Sequence, residues 1–339
     1  MRTLYALLCL FTLAILAGCD NSPQQVNVYS ARKEELIKPL LDQFAEESGI
    51  QVNLITGKAD ALMERIKSEG EFSPADLLIT VDAGRLHRAR EAGLLSKIDS
   101  RTLDERVPAT LRDPDGYWYG LSVRARVIVY APDRVDPAAL ASYQGLTDEQ
   151  WQGRICIRSS DNIYNQSLVA SLIAHDGAEA TEAWARGVVA NMARDPVGGD
   201  RDQIRAVAAG ECDLAVVNTY YLGMMLTSDD QAERDVAAQV AVFWPNQAST
   251  GTHINVSGAG IPPHAPNREA ALKLLGFLLS DQSQAWYART NFEYPVRSNI
   301  SVNDTLNSWG EFRQDELPLV KLGELNAEAV RLLDRAGWK

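Results

Sequence analysis

Short β-type segments alternate with helical patterns along almost the whole chain, and this alternation restricts the fold more than any other feature. Three apolar segments have the length and composition of buried strands: residues 26–30, 50–55 and 75–80. Each is followed by an amphipathic helical pattern: residues 33–48, 59–69 and 85–92. The order strand, helix, strand, helix, strand is typical of half of a doubly wound α/β domain.

The middle of the chain predicts a second domain that long strands join to the first. Residues 117–130 contain two β-type segments separated near Gly120, and the second is long enough to cross between domains. Residues 251–260 form the corresponding return strand. A chain of 339 residues can bury two cores. We predict a first domain of residues 26–124 plus 251–300 and a second of residues 125–250 plus 301–339.

The amino terminus has the pattern of a secretory signal. Arg2 precedes an apolar segment, residues 4–16, that is too short for a transmembrane helix. It ends in Leu16-Ala17-Gly18-Cys19, and small residues ahead of a cysteine resemble the lipobox of bacterial lipoproteins. We expect residues 1–18 to be a signal peptide, Cys19 to be lipidated and residues 19–25 to be a tether. The alternative is an ordinary signal followed by an incidental cysteine.

These features predict a periplasmic protein that a lipid holds at the inner membrane. Asp20 follows the cysteine, and in enterobacterial lipoproteins an aspartate there resembles an inner-membrane retention signal. No other apolar segment of the sequence is long enough to cross a membrane, so we expect contact with the membrane through the lipid only. The formal net charge of −12 argues against a nucleic-acid partner.

Two of the four cysteines, Cys156 and Cys212, remain once Cys9 is assigned to the signal and Cys19 to the lipid. Each of the two stands eight residues before a tyrosine. If their strands are parallel neighbours, the equal offset brings the cysteines together at one end and the tyrosines at the other. A disulfide would close a loop of about 57 residues and stabilise the fold by about 4 kcal/mol. Two buried thiols are the alternative.

Three tyrosines stand where predicted strands end. Tyr220 and Tyr221 follow the apolar residues 213–219, and Tyr164 follows the short strand of residues 154–158. Ligands of open α/β sheets collect at the carboxyl ends of strands. Phenolates are hard anionic oxygen ligands, so three of them in one cleft would suit a highly charged cation, above all ferric iron. The alternative is that the tyrosines pack half-buried with their hydroxyls in water.

Five segments resemble the ferric-iron-binding solute receptors of bacterial ABC transporters: residues 27–32, 79–85, 120–130, 162–167 and 210–221. The resemblance extends over nearly all of the chain after the signal. It implies a two-domain periplasmic binding protein of class II, with two hinge strands and a ligand cleft between the domains. The iron tyrosines of the family correspond to Tyr164, Tyr220 and Tyr221. The resemblance implies a receptor that captures Fe(III) and delivers it to the permease and ATPase of an inner-membrane ABC transporter, and we expect a monomer.

The sequence departs from many relatives in its first motif. Those relatives place His-Tyr after the arginine and use one or both as iron ligands, whereas this chain has Lys33 and Glu34. A charged lysine cannot ligate a metal. The remaining coordination positions are therefore open, and Glu34, Tyr29 or Asp82 are the candidates from the first domain.

The other candidate for these positions is a bound anion. Several relatives hold a synergistic carbonate or phosphate with arginines, and Arg32, Arg124 and Arg126 suit that role here. Arg124 and Arg126 share one face of their strand, and a guanidinium group matches a planar oxyanion with two hydrogen bonds.

Two other functions compete with iron transport. One is a receptor of the same fold for a different small ligand, such as an oxyanion or a polyamine, and the three tyrosines argue against it. The other is a secreted enzyme. The sequence lacks the Gly-x-Ser-x-Gly, His-Glu-x-x-His, Walker and dinucleotide-binding motifs, so we expect that the chain is not an enzyme.

Overall fold

A computed structural model describes residues 24–339, so the predicted signal peptide and the predicted lipid site at Cys19 lie outside the described residues. Eight strands lie within this range: β1 (Gln25–Ser30), β2 (Gln51–Thr56), β3 (Leu77–Val81), β4 (Tyr119–Tyr130), β5 (Ile155–Cys156), β6 (Leu214–Asn218), β7 (Ala241–Phe243) and β8 (Ile254–Gly260). They form one curled sheet in the order β2-β1-β3-β8-β4-β6-β5, with β7 paired to β4.

The helices that cover the sheet occur in three runs along the chain. The first run is α1 (Lys38–Ser48), α2 (Ala59–Glu69), α3 (Ala83–Glu91) and α4 (Arg101–Arg106). The second is α5 (Ile163–Asp176), α6 (Ala178–Asn191), α7 (Asp200–Ala208), α8 (Thr219–Leu226) and α9 (Gln231–Ala237). The third is α10 (Arg268–Leu278), α11 (Asp281–Trp286), α12 (Asp304–Ser308), α13 (Val320–Glu324) and α14 (Asn326–Arg335), and a π-helix over Tyr287–Asn291 follows α11.

The predicted half of a doubly wound domain is present. Strands β2, β1 and β3 are parallel neighbours, and α1 and α2 connect them as crossovers. Their side chains supply the core of this half, for example Val26, Val28 and Leu78, which are fully buried. In the other half, β5 and β6 are parallel, so the sheet ends in a parallel pair on both sides.

Strand β4 belongs to both halves of the sheet. Its residues 119–125 pair antiparallel with β8, and its residues 126–130 pair antiparallel with β6. The change of partner occurs where β8 begins, because the Arg126 amide donates to the His253 carbonyl oxygen at 3.0 Å. The Tyr143 hydroxyl accepts from the His253 amide at 3.2 Å and donates to the Arg126 carbonyl oxygen. β4 and β8 are therefore the two hinge strands, as expected.

Two predicted elements differ from the observed ones. The helix expected from residue 33 begins as a 3₁₀ turn over Glu34–Leu36, and α1 starts only at Lys38, because Pro39 favours the first turn of a helix and disrupts its interior. The break expected near Gly120 is a β-bulge within one continuous strand. A Cβ at Gly120 would lie 2.7 Å from the Leu111 carbonyl oxygen, so glycine here permits close approach of the backbone.

The carboxyl-terminal segment is helical and packs across both halves. Helix α13 lies against α3 of the first half and α5 of the second. The contact with α3 is close, since a Cβ at Gly323 would lie 2.3 Å from the His87 Cβ. Helix α14 buries Ala329, Leu332 and Leu333 towards α5 and α6. In residues 24–339, no helix combines the length and the apolar character that crossing a membrane requires.

Candidate metal centre

A cavity of about 700 Å³ lies between the two halves of the sheet. The residues of the second half that line it include Arg158, Tyr164, Asp200, Tyr220 and Tyr221. The first half and its hinge strand contribute a different set, which includes Ala31, Arg32, Lys33, Glu35, Val81, Arg124 and Glu293. The cavity is thus lined from both sides, and all three candidate tyrosines reach it.

The first of these tyrosines, Tyr164, is fixed by the start of α5. Asn162 precedes the helix, and its side-chain oxygen accepts from the Tyr164 amide at 3.0 Å, which is an N-cap bond. Tyr164 therefore projects from the first turn of a capped helix rather than from a flexible loop.

Tyr220 and Tyr221 occupy the first turn of α8, which follows β6 without a loop. Tyr220 is buried and its hydroxyl lies 3.3 Å from the Tyr164 hydroxyl. The Tyr220 and Tyr221 rings pack at a centroid distance of 4.2 Å. The structure thus brings together the three tyrosines that the sequence singled out, at helix starts just beyond the strands.

The protein surroundings oppose ionisation of Tyr220 and Tyr221. Burial raises the pKa of Tyr220 well above its usual value, and the neighbouring Tyr164 and Tyr221 raise it further, against a smaller lowering by Arg124. Burial also raises the pKa of Tyr221, with a further contribution from Tyr164. A phenolate at these positions therefore requires a strong positive charge inside the cavity.

Two arginines flank the ring of Tyr164. The guanidinium carbons of Arg124 and Arg158 each lie 5.6 Å from its centroid. Arg158 pairs with Asp200 at 3.1 Å. Arg124 is 2% exposed and donates to the Ser257 hydroxyl at 3.1 Å. In residues 24–339, no carboxylate lies within ion-pair distance of Arg124. Burial lowers its pKa, but the charges of Tyr164, Glu293, Tyr220 and Asp82 raise it, so the guanidinium stays charged beside the tyrosines.

Arg32 lines the same cavity but already has a carboxylate partner. Its Nη2 pairs with Glu293 Oε2 at 2.8 Å, and the Ser122 hydroxyl donates to the same oxygen at 2.7 Å. Burial alone would raise the pKa of Glu293, but Arg32 and Arg124 lower it, so this carboxylate stays ionised. The two predicted anion-binding arginines of the cavity therefore differ: Arg32 is neutralised and Arg124 is not.

The third predicted anion-binding arginine, Arg126, is absent from the cavity lining. It is 1% exposed. Its Nη1 pairs with Asp200 at 3.3 Å and also donates to Asn218 Oδ1 at 3.4 Å, and its Nη2 donates to Asn165 Oδ1. Arg126 is the first residue of β4 that pairs with β6 instead of β8, and its side-chain partners Asp200, Asn165 and Asn218 all belong to the second half. Sequence alternation put it on the same face as Arg124 but could not show which half would enclose it.

The structure places the three first-domain candidates for the open coordination positions away from the cavity lining. Tyr29 is fully buried, and its hydroxyl donates to Glu69 Oε1 at 3.1 Å. Asp82 is fully buried, with donors on both carboxylate oxygens. Glu34 is exposed in the 3₁₀ turn. In residues 24–339, no group of three or more His, Cys, Asp or Glu side chains could hold a metal ion.

Sequence reasoning missed several charged residues of the cavity, among them Arg158, Glu293 and Arg201. Arg158 ends the segment of residues 154–158, and its place just before Tyr164 was a usable signal. Glu293 follows Phe292, whose backbone has a positive φ of 54°, and no local pattern marks it. Arg201 lies at the start of α7 and donates to the Met224 sulfur at 3.6 Å.

A disulfide joins Cys156 to Cys212, with the Cα atoms 5.8 Å apart. Cys156 ends β5 and Cys212 lies just before β6, and these strands are parallel neighbours. The bridge therefore holds the strands that lead into α5 and α8, the two helices that carry the tyrosines.

A family model described as bacterial extracellular solute-binding protein matches residues 72–314, which is more than half of the chain. The chain belongs to this family. Among curated relatives of the solute-binding protein, the iron uptake protein A1 of Synechocystis is 49% identical over 336 residues, covering 96% of this chain and 93% of that protein.

Solved structures of relatives agree with this assignment. A Trichodesmium protein solved in complex with iron and citrate ligands is 48% identical, with a TM-score of 0.90, 93% of this chain covered and 100% of that one. The ferric binding protein from Campylobacter jejuni is 39% identical, with a TM-score of 0.88 and the same coverage. The similarity confirms the predicted fold class, a two-domain α/β periplasmic binding protein. These relatives are iron-uptake and ferric-binding proteins and not enzymes.

Proposed function

We propose that this solute-binding protein is a ferric iron receptor that holds Fe(III) with the phenolates of Tyr164, Tyr220 and Tyr221. The observation that carries the proposal is the convergence of the three tyrosines on one cavity, with the Tyr164 and Tyr220 hydroxyls 3.3 Å apart. Two of its relatives, the iron uptake protein A1 and the ferric binding protein, support the same ligand.

Three phenolates balance the charge of one ferric ion. A tyrosine has a reference pKa near 10, so ionising each one at pH 7 costs roughly 4 kcal/mol before burial is considered. Burial at Tyr220 and Tyr221 increases this cost. A trivalent cation is the local charge that can reverse it, whereas a neutral or monovalent ligand cannot. Tyr220 and Tyr221 therefore keep their protons until a hard, highly charged cation enters the cavity.

A synergistic carbonate or phosphate completes the coordination in this proposal, and Arg124 is the residue that holds it. Its guanidinium lies beside Tyr164 and has no carboxylate within ion-pair distance among the described residues. Arg32 contributes less because Glu293 already neutralises it. The sequence favoured Arg32 and Arg124 equally as anion-binding residues, whereas their contacts favour Arg124.

We place the receptor in the periplasm, where it hands iron to the permease and ATPase of an inner-membrane ABC transporter and works as a monomer. The lipid anchor at Cys19 rests on the sequence pattern alone. Replacing Cys19 with serine should move the protein from the membrane fraction to the soluble fraction or leave its signal unprocessed. Unchanged processing and fractionation would exclude the anchor.

We also keep the predicted division of the chain, residues 26–124 plus 251–300 against 125–250 plus 301–339. The change of pairing at Arg126 and His253 supports boundaries near residues 125 and 253. Helix α13 contacts both halves, so the carboxyl-terminal segment bridges the proposed domains.

A ferric titration tests the function. Addition of one equivalent of Fe(III) to the iron-free protein should produce a visible absorption band, because iron-phenolate charge transfer absorbs visible light. Zinc, polyamines and oxyanions supplied without iron should produce no band and no increase in melting temperature. A protein that binds one of those ligands and leaves ferric salt unbound would have the competing receptor function.

A further inference from the structure

The carboxylate of Asp82 connects the two halves of the molecule from outside the cavity. Its Oδ1 accepts from the Gly84 amide at 2.8 Å and from the Ser167 hydroxyl at 2.8 Å. Its Oδ2 lies 2.9 Å from the same hydroxyl and accepts from Asn255 Nδ2 at 2.8 Å. Gly84 starts α3, Asn255 lies on the hinge strand β8, and Ser167 lies on α5, so three separate elements meet at one buried carboxylate.

The backbone at Asp82 is held in a conformation that residues with a side chain rarely adopt. Its φ is +91°, at the junction of β3 and α3. Such a strained conformation persists only where several surrounding contacts fix it, and such conformations are concentrated at functional sites. Here Asn255 supplies the constraint, because its Oδ1 accepts from the Ala83 amide at 2.8 Å while its Nδ2 holds the carboxylate.

Ser167 links this carboxylate to the candidate metal centre. It lies three residues after Tyr164 on α5, so both side chains belong to one side of the helix. The residue before Tyr164 also faces the first half, since a Cβ at Gly84 would lie 3.7 Å from Ile163 Cδ1. The same Cβ would lie 3.1 Å from Asp82 Oδ1, so a glycine at 84 leaves room for both contacts.

We propose that Asp82 is a positioning residue of the iron site, which holds the first turn of α5 against the hinge so that Tyr164 is placed opposite Tyr220 before iron arrives. This role rests on the proposed ferric function. A preformed pair of hydroxyls avoids ordering the helix during binding, and preorganisation of this kind increases affinity mostly by slowing release. Asp82 does not ligate iron in this account, because its oxygens already have donors and it is absent from the cavity lining.

The test compares two buried hydrogen bonds that serines of the same helix, α5, donate to carboxylates. Ser167→Ala removes the bond to Asp82, and the control Ser171→Ala removes the bond from Ser171 to Asp315, which is 3.0 Å long and also buried. With ferric-loaded protein, the rate of iron transfer to excess EDTA should rise about tenfold or more in Ser167→Ala, the size expected for a hydrogen bond to a charged group. Ser171→Ala should release iron at the parent rate, whatever its melting temperature.

A second variant shows whether the effect passes through Asp82. Asp82→Asn should also accelerate release, leave the wavelength of the visible band unchanged, and add little in a Ser167→Ala background. Equal release rates in Ser167→Ala and Ser171→Ala would overturn the proposal, even if Asp82→Asn does not fold. A shifted band in Asp82→Asn would also overturn it, since Asp82 would then be a ligand. Failure of the proposed function is distinguishable, because the parent protein itself would then show no band.

Discussion

The two walls of the cavity are built from different chemistry. The wall from the second half carries the three tyrosines on the first turns of α5 and α8, and its Arg158 is paired with Asp200. The wall from the first half carries no tyrosine of the lining. Its charged groups are the pair Arg32 and Glu293, the pair Lys33 and Glu35, and Arg124, which has no carboxylate within ion-pair distance among the described residues. The candidate phenolate ligands thus come from one side only, whereas both sides contribute arginines: Arg124 from the first half, and Arg158 and Arg201 from the second.

This difference separates two tasks. The second half supplies the phenolates that neutralise a ferric ion, and the disulfide between Cys156 and Cys212 braces the strands that lead to them. The first half adjusts the charge around them and closes the cavity. If the account is correct, changes in the second wall should abolish iron binding, and changes in the first wall should only tune it.

The largest effect should come from the second wall. Tyr164→Phe, Tyr220→Phe and Tyr221→Phe each remove one anionic ligand with little change in volume. We expect ferric affinity to fall by at least about 100-fold in each, because even loss of an outer-shell partner costs 10–100-fold. Competition with citrate, followed by visible absorption, measures this. Tyr287→Phe, a buried tyrosine absent from the cavity lining, is the control, and parent-like affinity in all three variants would put the site elsewhere.

The walls should also differ in their response to pH. Because burial raises the pKa of Tyr220 and Tyr221, the unloaded tyrosines keep their protons at pH 7 and must lose them when iron binds. Acid therefore favours the unloaded state, and affinity should fall about tenfold per pH unit for each proton released. Glu293 in the first wall has a lowered pKa and adds no dependence near neutral pH.

Proton release can be counted directly. Iron added to weakly buffered parent protein should release up to three protons from the tyrosines, about one per phenol. Tyr221→Phe should release one fewer. An equal number of protons from parent and variant would contradict the assignment of Tyr221 as a phenolate ligand.

A smaller effect should separate the two arginines of the first wall. Arg124→Leu should weaken ferric binding in carbonate by about tenfold and remove the response to added carbonate, since one charged hydrogen-bond partner is lost. Arg32→Leu should keep that response but reduce stability by about 3–5 kcal/mol, because Glu293 is left buried and unpaired. Ferric affinity with and without carbonate, together with urea unfolding, distinguishes them. If both variants showed the same carbonate response and the same stability, the proposed difference between Arg124 and the ion-paired Arg32 would be wrong.

The smallest effect should come from the first-half residues that do not reach the cavity. Glu34→Gln changes an exposed residue, and Tyr29→Phe changes a hydroxyl that donates to Glu69. Ferric affinity should change by no more than about twofold in either variant, as for changes remote from a site. A collapse of affinity in either one would show that the first wall supplies an iron ligand after all.

The sequence predicted the frame of the molecule well. Periodicity placed α2 at its observed bounds, Ala59–Glu69, and the long β pattern before Tyr130 predicted the hinge strand β4. Both predictions depend only on the local pattern of hydrophobic residues, which can be read directly from the sequence. Helix α1 starts later than the hydrophobic periodicity predicts, because Pro39 favours the first turn of a helix over its interior.

The chemistry of the site was predicted only in part. The tyrosines could be found because they follow strands and match a family motif. The neutralisation of Arg32 could not, since Glu293 is 261 residues away in the chain. Asp82 is a related case. Its position after β3 made it a candidate iron ligand, but its carboxylate accepts from Ser167, which lies 85 residues away on another element. Charge pairing between distant segments depends on tertiary structure, which local patterns do not encode.

A crystal structure of the ferric-loaded protein, with anomalous scattering recorded at the iron edge, tests the central claim most directly. The account predicts a single anomalous peak among the hydroxyl oxygens of Tyr164, Tyr220 and Tyr221, with Arg124 directed at any additional anion bound to the metal. A peak coordinated mainly by residues of the first half, such as Glu34 or Asp82, or a peak on the outer surface, would contradict it.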